Sequence, residues 1–165
     1  MPKKEYLELF AKESDSIEGE AWDDDYGVSA IEYVLTLGLK EPKHFFGAHW
    51  IVAGNRHPEA DWIGKWRTVP VTVGGKVMPK PELVPELMHN FLIDLPEMTS
   101  WEAYVRFERI HPFQDFNGRL GRILWLWKAL DEDYMFELPF LQMFHYQTLN
   151  KAQLSYGKSL LHSSQ

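Results

Sequence analysis

One stretch of the chain stands apart, His111-Pro112-Phe113-Gln114-Asp115-Phe116-Asn117-Gly118-Arg119-Leu120-Gly121-Arg122. It breaks two apolar helical patterns with polar, charged and glycine residues. Just upstream, Thr99-Ser100-Trp101-Glu102 has the spacing of a capping box, in which two side chains satisfy free N–H groups at a helix start. This predicts a helix through Ala103, Tyr104, Phe107 and Ile110. His111-Pro112 ends it, because a proline pushes the residue before it out of the α region. Downstream, Leu120, Ile123, Leu124 and Trp127 recur at core spacing, which predicts a second helix from about Gly118.

The residues between those helices have a chemical sense of their own. A helix N-terminus near Asn117 offers unpaired N–H groups and the positive end of a dipole, a ready anion site. Gly118 lets a ligand approach the backbone closely. Arg119 and Arg122 are three apart and share a face. Two cations at that end oppose the dipole and call for an anion. His111 can act as a base near neutral pH, and Asp115 is a hard oxygen ligand suited to Mg²⁺ on phosphates. Each residue alone has a plainer explanation: a cap, a loop histidine, arginines paired with surface acids. Together they make a parts list for phosphoryl or nucleotidyl transfer.

Farther out, Val28, Ile31, Val34 and Leu35 fall on one helical face, preceded by Asp23-Asp24-Asp25 and closed by Gly38. Pro42 opens a helix carrying Phe45, Phe46, His49, Trp50 and Val52, closed by Gly54. Val69, Val71 and Val73 alternate with polar residues and Pro70, the period of a strand. Gly74-Gly75 then predicts a hairpin turn, and Pro70 makes the hairpin an edge or flap. Leu83, Leu87, Met88, Phe91 and Leu92 predict a helix over about 82–94. Pro139 opens a last helical region. His44 and His49 are five apart, so they do not align as metal ligands on a helix, and Gly74-Gly75-Lys76 lacks the spacing of a P-loop.

Composition sets bounds. The 165 residues suit a single domain over 1–165, and 45% apolar with 15% aromatic is enough for a core. A net charge of −7 with no basic stripe argues against a nucleic-acid partner. The absence of cysteine excludes disulfides and thiolate chemistry and fits a reducing compartment. Residues 1–10 lack the apolar run of a secretory leader, and no stretch approaches a membrane span. The expectation is a cytoplasmic protein without a membrane partner, with self-association left open.

The His111–Arg122 stretch closely resembles the signature of the Fic family, His-x-Phe-x-(Asp/Glu)-Gly-Asn-Gly-Arg-x-x-Arg. The match holds at His111, Phe113, Asp115, Asn117, Gly118, Arg119 and Arg122. Gly64-Lys65-Trp66-Arg67 through Val73 looks like the family's flap, so the likeness covers most of the chain. The resemblance implies an all-α, Fic-fold helical domain with one small β-hairpin flap. It implies a protein adenylyltransferase moving AMP from ATP-Mg²⁺ onto a Ser, Thr or Tyr hydroxyl of a target protein. In those terms His111 is the base, Asp115 holds Mg²⁺, Asn117 and Gly118 form the anion hole, and Arg119 and Arg122 hold outer phosphates. Val69, Val71 and Val73 align the target by adding a strand. Ser14-Asp15-Ser16-Ile17-Glu18-Gly19 fits the family's inhibitory pattern, (Ser/Thr)-x-x-x-Glu-(Gly/Asn), within a segment at about 12–20. Its plain alternative is a helix end capped by Gly19. The resemblance implies that Glu18 competes with the γ-phosphate for Arg122.

One position departs from the signature: Phe116 stands where the first glycine belongs. Either the ring points away, or it crowds the phosphates and leaves a catalytically weakened binding or regulatory protein. A related phosphotransferase or a de-AMPylase is the other alternative. The intact Asn117-Gly118-Arg119 favours nucleotidyl transfer over the kinase-like Doc branch, whose motif has a lysine before the equivalent of Arg119.

Overall fold

The computed structural model describes residues 2–20, 26–54 and 56–132. Six α-helices order these residues: α1 (Lys4–Ile17), α2 (Tyr26–Leu37), α3 (Pro42–Gly54), α4 (Val84–Asp94), α5 (Ser100–Ile110) and α6 (Asn117–Asp131). A single hairpin, β1 (Thr72–Val73) and β2 (Lys76–Val77), lies between α3 and α4. The fold is therefore helical with one small antiparallel flap. Both the acidic run at 23–25 and the region from Pro139 lie outside the described residues.

The local signals act as chemistry requires. Thr99 accepts from the Glu102 N–H while Glu102 accepts from the Thr99 N–H at 2.9 Å, completing the capping box of α5. α5 and α6 pack side by side and carry the signature stretch between them. Their buried faces (Tyr104, Phe107, Ile110, Leu120, Leu124) meet Ile31 and Val34 of α2, Phe45 of α3 and Phe91 of α4. Phe45 stacks on Phe107 at 5.7 Å between ring centroids and meets Phe91 edge-on at 6.2 Å.

The helix α1 reaches farther towards the N-terminus than the inhibitory pattern alone indicates. It buries Leu7, Phe10 and Ile17, and Phe10 stacks on Trp125 of α6 with the planes 2° apart. Gly27 lets α2 come close: a Cβ there would stand 2.9 Å from the Ala11 Cβ. Each such apolar side chain contributes about 1.5–3 kcal/mol, against about 0–1 kcal/mol for an exposed ion pair. Apolar burial therefore holds α1 down, and its polar contacts fix what it covers.

The flap differs from the strand that alternation predicts. Only Thr72–Val73 pairs with Lys76–Val77, with Thr72 opposite Val77 and Val73 opposite Lys76. Gly74 and Gly75 take φ of 54° and 79°, as a tight two-residue turn demands. The ladder stops short because Pro70 has no N–H and the Val69 carbonyl is taken by Arg67 instead. The predicted helix at 82–94 is also split, with a 3₁₀ turn at Pro81–Leu83 ahead of α4.

Candidate active site

His111 ends α5 in the left-handed conformation, φ 49° and ψ 62°. Such backbone is strained for a residue with a side chain and persists only where neighbours enforce it. Arg67, 2% exposed, supplies the enforcement. Its Nε donates to the His111 carbonyl at 2.7 Å, and its terminal nitrogens donate to the carbonyls of Val69 at 3.0 Å and Pro79 at 2.6 Å. Its own N–H donates to the Pro112 carbonyl at 2.9 Å. One guanidinium thus buckles the base of the flap to the histidine loop.

The loop itself is closed by Asn117. Its side-chain oxygen accepts from the Phe113 N–H and its side-chain nitrogen donates to the Phe113 carbonyl, both at 2.9 Å. That amide is committed to the loop, so an anion at this helix end would meet backbone N–H groups. Asp115 is exposed at the lip and accepts from the Phe116 N–H at 2.6 Å. Behind it, buried His49 settles its own tautomer. The Gly64 N–H donates to His49 Nδ1 at 3.0 Å, so the ring proton is on Nε2, which donates to the Asp115 carbonyl at 3.2 Å. Burial lowers the His49 pKa to about 4, in keeping with a neutral ring.

Phe116 keeps a left-handed backbone, φ 61°, which a glycine would accept without strain. Its ring is 4% exposed and packs among His49, His57 and Trp62. The Arg119 guanidinium lies over it, 3.9 Å from the ring centroid. Of the two readings of this substitution, the ring occupies an aromatic cluster beneath Arg119.

Both signature arginines are buried and both face α1. Arg122, 1% exposed, donates from Nε to Ser14 Oγ at 2.8 Å and from one terminal nitrogen to the Ser14 carbonyl at 3.0 Å and Glu18 Oε1 at 2.7 Å. The same Glu18 oxygen sits against the start of α6, 2.5 Å from where a Cβ on Gly118 would be. Arg119 meets Asp15 Oδ1 at 3.4 Å, and Asp15 Oδ2 accepts from Arg56 at 3.0 Å. The structure therefore brings Ser14 and Glu18 to Gly118 and Arg122, ahead of the loop bearing His111 and Asp115.

The electrostatics centre on His111. Burial pushes it down to about 4, with the Glu108 carbonyl, Asp115 and Glu18 pulling it up and Arg67 adding to the fall. Its ring is neutral at pH 7 and can accept a proton. Glu108 Oε2 lies 3.8 Å from His111 Nδ1, which has no hydrogen-bond partner among the described residues. Burial raises the Glu108 carboxyl to about 7, against the pull of Arg122. Gly121 makes room for it, since a Cβ there would collide with Glu108 Oε1. Asp15, Arg56, Arg67 and Glu108 gave no signal in the sequence that separates them from surface charges; only burial does.

A left-handed histidine loop thus runs into a helix start whose two buried arginines meet carboxylates of the N-terminal segment. Residues 40–128 match the model of the Fic/DOC family, and the chain belongs to that family. Its fold is shared with a Fic domain containing signaling protein from Bacteroides thetaiotaomicron at 17% identity and TM-score 0.68, over 89% of this chain and 71% of that one. Fic-1 from C. elegans gives 21% and 0.70, over 92% and 56%. A Fic family protein from Desulfovibrio desulfuricans gives 20% and 0.57, over 79% and 46%. This chain spans about half the length of the last two. No curated protein sequence is a significant match. Among the described residues no helix is long and apolar enough to cross a membrane.

Proposed function

We propose that this chain is a protein adenylyltransferase, moving AMP from ATP onto a Ser, Thr or Tyr hydroxyl of a target protein, and that Glu18 holds it at rest. The observation that carries the reading is a carboxylate at the start of α6, against Gly118 and paired with Arg122 at 2.7 Å. A guanidinium that binds a carboxylate through charged hydrogen bonds binds phosphate oxygens by the same geometry. The two anions compete for one arginine.

Neutral His111 supplies the base. With Nδ1 turned towards Glu108, Nε2 is the atom left for an incoming hydroxyl. It takes the hydroxyl proton as the oxygen bonds to the α-phosphorus. The bond from that phosphorus to the bridging oxygen breaks, and pyrophosphate leaves. Arg119 and Arg122 hold the outer phosphates, and backbone at Asn117 and Gly118 faces the inner ones. The exposed carboxylate of Asp115 fits Mg²⁺, which takes one or two carboxylates beside substrate phosphates and keeps its waters. Bound there, Mg²⁺ would supply neutralisation of phosphate charge.

The flap supports a docked target strand. The Met78 N–H donates to the Val71 carbonyl at 3.0 Å, so Val71 faces β2. Thr72, the alternate residue, then turns its N–H to the open edge. Val69 and Val73 are about 40% exposed.

Incorporation from α- and γ-labelled ATP tests the reading, in the parent and in Glu18→Gly. The α label should enter protein, and more of it in Glu18→Gly by about 10–100-fold, the equivalent of one charged hydrogen bond. Transfer of the γ label instead means a phosphotransferase. No transfer of either label from Glu18→Gly means that the fold serves binding alone.

A further inference from the structure

The contacts of α1 do not stop at Glu18. We propose that Arg56 and Arg119, backed by the Phe116 ring, form a second phosphate subsite of the nucleotide pocket, and that Asp15 fills it at rest. The helix then blocks the pocket with two carboxylates, one on each signature arginine. This rests on the reading of Arg119 as a phosphate ligand and adds Arg56 and Asp15 to it.

Asp15 bridges two guanidinium groups in the way a phosphate would. One oxygen accepts from Arg56 at 3.0 Å and the other lies 3.4 Å from Arg119. All three side chains are largely buried, at 6%, 18% and 10% exposure. Glu20, at 3.8 Å, adds a weaker, more exposed carboxylate to Arg56. Burial of two adjacent arginines calls for an anion between them, and no apolar constraint of the helix requires an aspartate at position 15.

The carboxylate is an imperfect occupant. Arg119 is 8% exposed, yet its Nε is buried without a partner among the described residues, and its contact to Asp15 is long. A carboxylate has two oxygens to offer; a terminal phosphate has three. The Phe116 ring covers one side of the Arg119 guanidinium, whose central carbon lies 3.9 Å from the ring centroid, and the N–H groups remain to meet an anion. The neighbouring cavity, lined in part by Ser14, Asp15, Arg56 and Arg119, holds only about 20 Å³. That is room for a water at most, so a phosphate enters only where the Asp15 side chain is out of the way.

This accounts for Phe116 without a loss of function. The ring that replaces the signature glycine becomes the floor of a subsite. The two carboxylates are separate in effect: removing Glu18 takes the anion from Arg122, which keeps its bonds to Ser14, while Arg119 and Arg56 stay neutralised by Asp15.

The test uses Glu18→Gly, Asp15→Ala, the pair together, and the pair with Arg56→Ala or Arg56→Lys. Inorganic tripolyphosphate is titrated into each by calorimetry, and transfer from α-labelled ATP is measured on the same proteins. The pair should bind tripolyphosphate at least about tenfold tighter than Glu18→Gly alone, the scale of one charged hydrogen bond. Arg56→Ala should remove that gain and Arg56→Lys should restore part of it. Thermal melts establish that each variant is folded; if Arg56→Ala is not, Arg56→Lys carries the comparison, since a point charge cannot reproduce a two-pronged contact. Equal binding by the pair and by Glu18→Gly, indifference to both Arg56 changes, or no binding at all overturns the subsite. Arg56-dependent binding with no transfer in any variant keeps the subsite and sinks the transferase. Transfer together with binding that ignores Arg56 does the reverse.

Discussion

The two segments that flank the His111 loop differ in what they leave open. α1 presses Ser14, Asp15 and Glu18 onto Arg119 and Arg122, which are 8% and 1% exposed. The flap leaves Val69, Val73 and Val77 bare, at 40%, 41% and 72%. One side of the loop is covered and the other is not. In the proposed reaction, control at rest therefore falls on entry of the phosphates, while the surface for a target strand stands ready.

The largest test of that asymmetry removes what both sides serve. His111→Ala in the Glu18→Gly background should cut transfer by about 10²–10⁴-fold, with ATP binding by calorimetry little changed. If transfer persists, opening the arginine side gains activity by some other route and the comparison loses its centre.

Arg67→Ala attacks the buckle between the sides. It strips donors from the carbonyls of Val69 and Pro79 on the flap and of His111 on the loop. Buried charged hydrogen bonds of this kind are worth about 1.5–3 kcal/mol each before compensation by water. Chemical denaturation should show a loss of about 3 kcal/mol or more, and an unchanged midpoint would make the two sides mechanically independent.

Thr72→Pro touches the open side alone. It deletes an outward N–H of the flap edge and should lower labelling of other proteins by about tenfold, the worth of one ladder bond with its local distortion. ATP binding should hold. Equal loss of both would mean that the hairpin shapes the nucleotide pocket.

The smallest effect is a slope. Glu108 is raised from 4.5 to about 7 by burial, so between those values the native protein keeps a proton that the unfolded chain has released. Its contribution to stability falls as pH rises through that window. His49 and His111, lowered from 6.5 to about 4, act oppositely: their contribution grows as pH rises from 4 to 6.5. Glu108→Gln removes the falling part. Its melting temperature should therefore climb more steeply than the parent's between pH 4.5 and 7. Parallel curves would show that Glu108 ionises normally.

Much of this was legible in the residues. The capping box at Thr99, the break at His111-Pro112 and the glycine pair at 74–75 are short-range devices that depend on neighbours in sequence, and each appears where its chemistry puts it. The Glu18–Arg122 contact was readable only through a motif, since 104 residues separate its partners. Arg67 and Asp15 were not legible as site residues. A charged residue in sequence looks solvated until the fold buries it, and the carbonyls that Arg67 serves come from three separate segments. The flap was over-read because alternation of valines records which face is apolar, not whether the backbone has a strand to pair with. Phe116 was legible as a departure, but the direction of its ring depended on His49, His57 and Trp62, which come from other parts of the chain.

The side-chain clamp on Phe113 has a consequence for how this protein ages. Asn117-Gly118 is the dipeptide most prone to deamidation, which requires the glycine nitrogen to swing onto the asparagine amide carbon. Here that amide is held at both ends by Phe113 at 2.9 Å, is 1% exposed, and sits at the helical start of α6. The ring-closing geometry is out of reach while the loop is intact and open to the chain whenever it unfolds. Isoaspartate at position 117 would accumulate in proportion to time spent unfolded, so this one bond records the conformational history of a sample in a chemical mark that refolding does not erase.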